Sequence, residues 1–325
     1  MQSIAVIGAG MAGITLARAL SEKARVTVFE KSRGPGGRMS ARRMDDYRLD
    51  HGAQFFTVRS AGFQRLVEEL VAAGIVGEWQ GKVVTLDSQR QSFKREWFEP
   101  HYVGIPAMNT PLRSLAKNLT VHYQHTITAL QQKDSKWTLK DAEANSHGCF
   151  DWVVCTPPAP QVLTLLPEIF EPFQAVQDVV YSPCFALWLT TPSPVDLNFS
   201  AAVVRNSPIA WIAEQGRKQG TTPTRSLLVH SDNEWARSHL EGDLEGVGKE
   251  MLLALGNFIE LPEPEKCQVE LHRWRFARVE STAEQEFILD AEQKLAACGD
   301  WCLGSRVEDA FLSANKLAER LQTLI

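Results

Sequence analysis

Paired cysteines are missing from this chain: the six cysteines, at positions 149, 155, 184, 267, 298 and 302, include no Cys-x-x-Cys spacing. A zinc ribbon or a thioredoxin-like redox site requires that spacing, so six reduced thiols are expected, mostly packed as small hydrophobes. Long apolar runs are missing too, since none reaches the ~18 residues of a membrane-spanning helix. The apolar opening over residues 4–20 has no basic stretch ahead of it and is interrupted by Gly8, Gly10 and Gly13. It reads as a folded element rather than a secretion signal, which makes the cytoplasm the expected compartment. The sequons Asn118-Leu-Thr120 and Asn198-Phe-Ser200 carry no weight in that setting. Excess positive charge is absent, with 34 Lys+Arg against 39 Asp+Glu and a net charge of -5. Without a basic field, neither nucleic acid nor a membrane is an expected partner. No stable protein partner is expected either. The sequence carries no internal repeat, low-complexity tract, metal-ligand cluster, Ser-His-Asp set or carboxylate pair.

What is present is enough apolar residue, 44% of 325, for a sizeable core and about two domains. A short apolar strand over residues 3–7 meets the three glycines, an amphipathic helix follows to about Glu22, and a β-branched run from Val26 to Phe29 completes a β-α-β unit. A Gly-rich basic loop spans residues 31–43. Phe63, Leu66, Val67, Leu70 and Val71 recur at helical spacing, stopped by Gly74. Residues 82–102 read as a strand pair with aromatics, 111–118 as a short helix and 120–139 as alternating strands. Trp152 to Cys155 reads as a buried strand ending at Pro157-Pro158. The stretch 161–285 mixes strands with two helices. One opens at Ser231 with Glu234 completing a capping box, and the other carries Val247, Met251, Leu252, Leu255, Phe258 and Ile259. A final Gly299-Asp300 turn leads into a helix with Val307, Ala310, Phe311, Ala314, Leu317, Ala318 and Leu321 on one face. The chemistry-bearing motifs lie at the two ends. This predicts an α/β protein in which a Rossmann-type nucleotide domain (1–60, 103–160 and 286–325) carries an inserted α+β substrate domain (61–102 and 161–285) on a mixed or antiparallel sheet.

The segment Gly8-Ala-Gly10-Met11-Ala12-Gly13 has the strand before it, the helix after it and Glu30 at the end of the second strand. Gly8 permits the tight turn, Gly10 lets the backbone approach a pyrophosphate, and Gly13 lets helix and strand pack closely. The pyrophosphate would face the free N–H groups of the helix, beside Met11 and Ala12. Glu30 would accept bonds from ribose hydroxyls and repel a 2'-phosphate. Past it, Gly36-Gly37-Arg38 combines a close backbone approach with a forked donor. With Lys31, Arg33, Arg42 and Arg43 it forms the most basic stretch of the chain, read either as neutralising a diphosphate beneath the loop or as a solvated surface cluster. There is no second fingerprint, because Gly242, Gly246 and Gly248 have the wrong order and sit in an acidic stretch.

These residues resemble the FAD-binding signature of flavoproteins related to the amine oxidases and glutathione reductase. Two further segments, Leu49-Asp50-His51-Gly52-Ala53-Gln54-Phe55-Phe56-Thr57 and Cys298-Gly299-Asp300-Trp301-Cys302-Leu303-Gly304-Ser305-Arg306-Val307-Glu308, narrow the likeness. They resemble the bacterial renalase-like FAD oxidoreductases. Tyr102-Val-Gly104-x-Pro106-x-Met108, Thr156-Pro-Pro-Ala-Pro160 and His272-Arg-Trp274-Arg-Phe-Ala277-Arg278 match that group's pattern as well.

The resemblance implies a non-covalent FAD. Gly299 and Asp300 would hold its pyrophosphate–ribityl side, and Gly52, Ala53 and Gln54 would pass beside the isoalloxazine ring. Ile127, in a strand around Thr126-Ile127-Thr128, would meet the adenine. The helix opening at Arg306 and Val307 would aim its positive end at the flavin pyrimidine edge. It further implies an oxidase that takes hydride from 2- or 6-dihydro isomers of NAD(P) to flavin N5, with dioxygen reoxidising the flavin to give hydrogen peroxide. Aromatisation drives that step, so no acid–base apparatus is needed. His230 and Trp274 are the substrate-pocket candidates, and His230 reads equally as a structural histidine. Trp79, Trp97, Tyr181, Trp188, Trp211 and Trp235 read as core. Arg205, Asn206, Arg273, Arg275 and Arg278 would suit an anionic substrate, although each alone reads as a surface residue. Two alternatives stay open: a flavin-dependent amine oxidase, for which the chain is short and lacks a Ser-Gly-Gly-Cys segment, and a dinucleotide-binding sensor without turnover.

Overall fold

The computed structural model describes residues 1–43, 48–87, 92–94, 99–167, 169–195, 197–218 and 225–325. Trp97 lies outside them. The first strand, β1 (Ser3–Ile7), is buried at every position, as expected of a strand covered on both faces. It pairs in parallel with β2 (Arg25–Glu30) on one side and with the strand Trp152–Cys155 on the other. Thr120–Tyr123 extends the sheet beyond β2. Leu295–Ala297 and the antiparallel edge Ile288–Asp290 close the opposite end. Alternation along β1 assigns its faces. Ile4 and Val6 pack with the helices α1 (Met11–Leu20) and Val307–Leu321, through Ile14, Leu16, Ala314 and Leu317. Ala5 and Ile7 pack with Trp137, Leu139 and Phe150, which belong to a three-stranded antiparallel sheet over Ala129–Lys133, Lys136–Lys140 and Ser146–Phe150. The result is a helix–sheet–sheet sandwich with β1 at its centre.

A seven-stranded sheet stands beside it, in the order Gln268–Ser281, Val180–Thr190, Ser226–Ser231, Ile209–Glu214, Ala201–Val204, Val83–Leu86 and Ser92–Lys94. Its pairs are antiparallel except for Val83–Leu86 with Ala201–Val204, so the sheet is mixed. The helix Leu244–Gly256 covers one face, with Met251 and Leu255 against Phe185, Leu187 and Val229. The opposite face carries Ala186, Trp188 and Leu228, packed with Leu49 and Trp274. Among the described residues no helix is long and apolar enough to cross a membrane.

Two local expectations need correction. The helix expected to open at Ser231 spans Asn233–Ser238, and its cap is Asp232, whose carboxylate accepts from Glu234 N and Trp235 N. Ser231 ends the preceding strand, and its hydroxyl accepts from Phe185 N at 2.9 Å. Ser231 stands one residue ahead of the cap position, with its hydroxyl turned to the sheet. Thr126-Ile127-Thr128 is connecting chain rather than strand, tied down by Thr128 N donating to Lys140 O at 2.8 Å.

The glycine at 13 is required sterically, because an added Cβ would stand 2.0 Å from Gly8 O. Gly248, inside the helix Leu244–Gly256, meets nothing within 4 Å outside its own helix. Thermal denaturation of two variants tests this contrast. Gly13→Ala should lower stability by ~3 kcal/mol or more, whereas Gly248→Ala should raise it by about 0.5–1 kcal/mol.

Candidate active site

A cavity of about 1860 Å³ runs between the six-stranded and the seven-stranded sheet. Of the residues named from sequence, it is lined by Gly8, Gly10, Met11, Ala12, Glu30, Lys31, Gly37, Arg38, Gly52, Ala53, Ile127, His230, Trp274, Gly299, Asp300, Arg306 and Val307. Gly13 and Gln54 do not reach it. Gly13 is spent on the helix–strand contact, and Gln54 turns its amide back onto the chain.

One end of the cavity is a cradle for an anion. Gly8, at φ +102°, turns the chain out of β1, and Gly10 caps α1 without any side-chain bond to the first turn. That turn holds no acidic residue, so its N–H groups and the positive end of the dipole are left for a ligand. A Cβ on Gly10 would stand in open space, with nothing within 4 Å. This opening fits the diphosphate of a dinucleotide. Glu30 is buried, and its two oxygens accept from Ala9 N and Ser32 N, both at 2.8 Å. A carboxylate offers about four acceptor sites, so capacity remains for ribose hydroxyls. Arg38 forms an ion pair with Asp300 across the cavity. Burial works against the Arg38 charge, but the Asp300 carboxylate outweighs it and holds the guanidinium above its ordinary value.

The basic loop does not converge as a unit. Lys31 and Arg38 line the cavity, whereas Arg33 and Arg43 do not. Arg42 lies over the Trp188 ring, 4.5 Å from its centroid, and 3.5 Å from Glu270. The run as a whole therefore does not face the cavity; of it, Lys31 and Arg38 do. The helix Val307–Leu321 opens on the cavity at Arg306 and Val307. Its first turn carries two acids, Glu308 accepting from Arg59 N and Ser60 N, and Asp309 accepting from Arg306 N. Part of the helix-end potential is thus countered within the chain.

At the other end the chain from Asp50 to Gln54 passes under the seven-stranded sheet. Trp274 Nε1 and His230 Nε2 both donate to the carbonyl of His51, at 3.0 and 3.2 Å. The two substrate-pocket candidates therefore meet at one acceptor. The His51 ring stacks on Trp274 at 5.3 Å and meets His272 edge-on at 5.2 Å. Burial, then the neighbouring His272 and Arg42, lower the His51 pKa to about 3, and burial lowers that of His272 as well. Gly52 is sterically pinned: a Cβ would lie 2.0 Å from Arg38 O and 3.5 Å from Trp274 Cζ2.

Sequence reasoning left Trp211 in the core and overlooked Cys184 and Asn233, yet all three line the cavity. Nothing in the local pattern marks them, because sheet register decides which face Cys184 and Trp211 take, and Asn233 opens the helix that follows the strand Ser226–Ser231. Arg273, Arg275 and Arg278 line it too, while Arg205 and Asn206 do not. Arg273 donates to Gly242 O at 2.6 Å, and Arg275 pairs with Glu241, with Nη2 2.9 Å from Oε2. Among the described residues the cavity wall holds six cations (Lys31, Arg38, Arg273, Arg275, Arg278 and Arg306) against three carboxylates (Glu30, Asp300 and Asp309). The part formed by residues 271–278 carries three of those cations and no carboxylate. Among the described residues no group of His, Cys, Asp or Glu is placed to hold a metal ion.

A Rossmann-like sheet whose glycine turn opens on this cavity defines a dinucleotide-binding oxidoreductase fold. The comparisons agree. Residues 6–70 match the NAD(P)-binding Rossmann-like domain, and residues 85–322 match the flavin containing amine oxidoreductase family. The chain belongs to that family and is a flavin-dependent oxidoreductase. It is 24% identical to the renalase of Mus musculus over 352 residues, covering 100% of both chains, and is a renalase-like member. Among solved structures it is similar to a putative protoporphyrinogen oxidase from Exiguobacterium sp. 255-15, with TM-score 0.71, 12% identity and 99% of each chain covered. A triple mutant of putrescine oxidase superposes with TM-score 0.67, again at 12% identity and 99% coverage of each chain. At that identity the two structures speak for the fold alone.

The lowered His51 pKa makes a signed prediction. Between pH 6.5 and about 3 the unfolded chain binds a proton that folded His51 refuses, so stability falls as pH falls through that window. Replacing the imidazole in His51→Gln should make the decline shallower, by at most about 1.4 kcal/mol per pH unit. Urea denaturation at a series of pH values measures the difference in slope between the two proteins.

Proposed function

We propose that the protein binds FAD non-covalently and oxidises isomeric dihydro-NAD(P), reduced at the 2 or 6 position, with dioxygen as the final acceptor. The observation that carries this reading is the charge along the cavity wall, six cations against three carboxylates with Arg275 further paired to Glu241, in a chain of net charge -5. A dinucleotide is a polyanion and is attracted there, whereas the ammonium group of an amine is repelled. The flavin supplies the hydride acceptor at N5 and the reaction with dioxygen that gives hydrogen peroxide. Residues 1–60, 103–160 and 286–325 form the FAD-binding unit on this reading, and 61–102 with 161–285 the substrate unit. The reaction belongs to the cytoplasm.

The chain's own residues are suited to holding the reactants rather than moving protons. His230 and Trp274 direct ring N–H groups at the His51 carbonyl, which fits a step driven by aromatisation that needs no base. Gly10, Gly37 and the α1 N-terminus would take the FAD diphosphate, Glu30 its ribose, and Ile127 the adenine side. Gly52 and Ala53 would lie against the flavin ring, with Asp300, Arg306 and Val307 on its ribityl and pyrimidine sides. Cys184 is the cysteine that lines the cavity, and burial pushes its thiol up to about 11, which disfavours a thioether link.

Two measurements test the reading. Anaerobic mixing with the 2- or 6-dihydro isomers should bleach the flavin absorption rapidly, while primary amines and polyamines leave it unchanged. Bleaching by an amine with both isomers inert would sink the proposal. Purified protein should be yellow and release free FAD on denaturation; flavin retained on the precipitate would contradict the non-covalent assignment.

A further inference from the structure

The peptide that would lie against the flavin ring cannot position itself. Gly52 has no room for a side chain, and the strand Arg48–Asp50 ends before it. Residues 50–52 are nevertheless held at every carbonyl by side chains. Gln54 Nε2 donates to Asp50 O at 2.6 Å and to Gly52 O at 2.9 Å, while Trp274 and His230 hold His51 O. A second amide completes the arrangement. Asp50 N donates to Gln215 Oε1 at 3.1 Å, and Gln215 Nε2 donates to Gln54 Oε1 at 3.3 Å.

These contacts close a ring: Asp50 N–H to Gln215, Gln215 to Gln54, and Gln54 back to Asp50 C=O. All donors point the same way round, so each bond polarises the next. The ring is sealed from solvent, with Asp50 0%, Gln215 1% and Gln54 7% exposed. None of its three members lines the cavity, whereas the neighbouring Gly52 and Ala53 do. Gln215 follows directly on a strand of the seven-stranded sheet, Ile209–Glu214. Ala53 N donates to Arg38 O at 2.8 Å, in the loop of the dinucleotide motif. The ring therefore fixes the peptide that joins the two sheets' contributions to the cavity.

We propose that Gln54 and Gln215 are positioning residues that set the Gly52–Ala53 peptide against the flavin ring. The proposal rests on the flavin site and on no particular substrate. Gln54 accordingly acts from behind the peptide and does not touch the cofactor.

The most informative variant is Gln215→Glu, which keeps shape but changes donors. Burial raises a carboxyl pKa. When protonated, the side chain still accepts from Asp50 N and donates to Gln54, so the ring stays closed. When ionised it turns two acceptors toward each other, and the ring opens. The visible circular dichroism of the bound flavin should match the parent at low pH and depart from it as pH rises, in a transition the parent lacks. Gln54→Leu and Gln215→Leu should each displace the flavin signal at every pH, and the double variant should be no worse than Gln54→Leu alone, which already loses the ring together with the bond to Gly52 O. Should a variant lose its flavin, hydrogen exchange in the flavin-free protein gives the second readout. The Ala53 amide should exchange about tenfold faster in Gln215→Leu, the effect of roughly one buried hydrogen bond. A Gln215→Glu signal that follows the parent at all pH values, additive losses in the double variant, or unchanged Ala53 exchange would each overturn the proposal. No substrate enters these measurements, so their failure and a failure of the dihydro-NAD(P) reading are told apart.

Discussion

Two chain crossings leave no space for a side chain, and the cavity depends on both. At the first, Gly13 of α1 lies against Gly8 O, and at the second Gly52 lies against Arg38 O; an added Cβ would stand 2.0 Å from the carbonyl oxygen in either place. The first sets how closely the helix packs on β1, and hence where its uncapped N-terminus opens. The second brings the loop carrying Gly36, Gly37 and Arg38 onto the segment that continues under the seven-stranded sheet. Arg38 O serves twice there, as the wall against Gly52 and as the acceptor for Ala53 N. From that point the connection runs through His51 O to Trp274 and His230. A change at either crossing would alter the cradle and the reacting side together.

Electrostatics gives the cavity a character the whole chain does not have. Net charge is -5, yet the wall holds six cations against three carboxylates; the acids are engaged, and of the cations Arg38 is paired with Asp300 and Arg275 with Glu241. Glu30 is held by two backbone amides, Asp300 by Arg38, and Asp309 by Arg306 N. His51, and His272 of the seven-stranded sheet beside it, add no charge at neutral pH, because burial lowers both. A neutral floor under a cationic wall suits an anionic reactant whose reacting ring is itself uncharged.

Much of this was legible from residue order, for reasons that are local. The β-α-β unit shows because β1 is apolar from Ile4 to Ile7 and the glycine spacing is a backbone requirement that neighbours cannot disguise. The seven-stranded sheet was expected as mixed or antiparallel, and it is mixed through one parallel pair. Less legible were features set by distant partners. Ser231 has the look of a helix cap, but Phe185 N, far away in sequence, claims its hydroxyl. Gln54 sits in a cofactor-like segment, but Gln215 turns it inward. The run of basic residues over 31–43 reads as one cluster, yet Trp188 and Glu270 draw Arg42 away from the cavity. Trp211 lines the cavity because of its register against His230, which no local pattern records.

The central claim is that an anionic dihydropyridine dinucleotide reaches the flavin directly. The most direct measurement is product stoichiometry in air, with 2- or 6-dihydro-NAD(P) supplied to the purified flavoprotein. The account predicts one NAD(P)+ and one hydrogen peroxide for each isomer molecule consumed, and no peroxide when amines replace the isomers. Peroxide released from an amine, with the dihydro isomers returned unchanged, would contradict it.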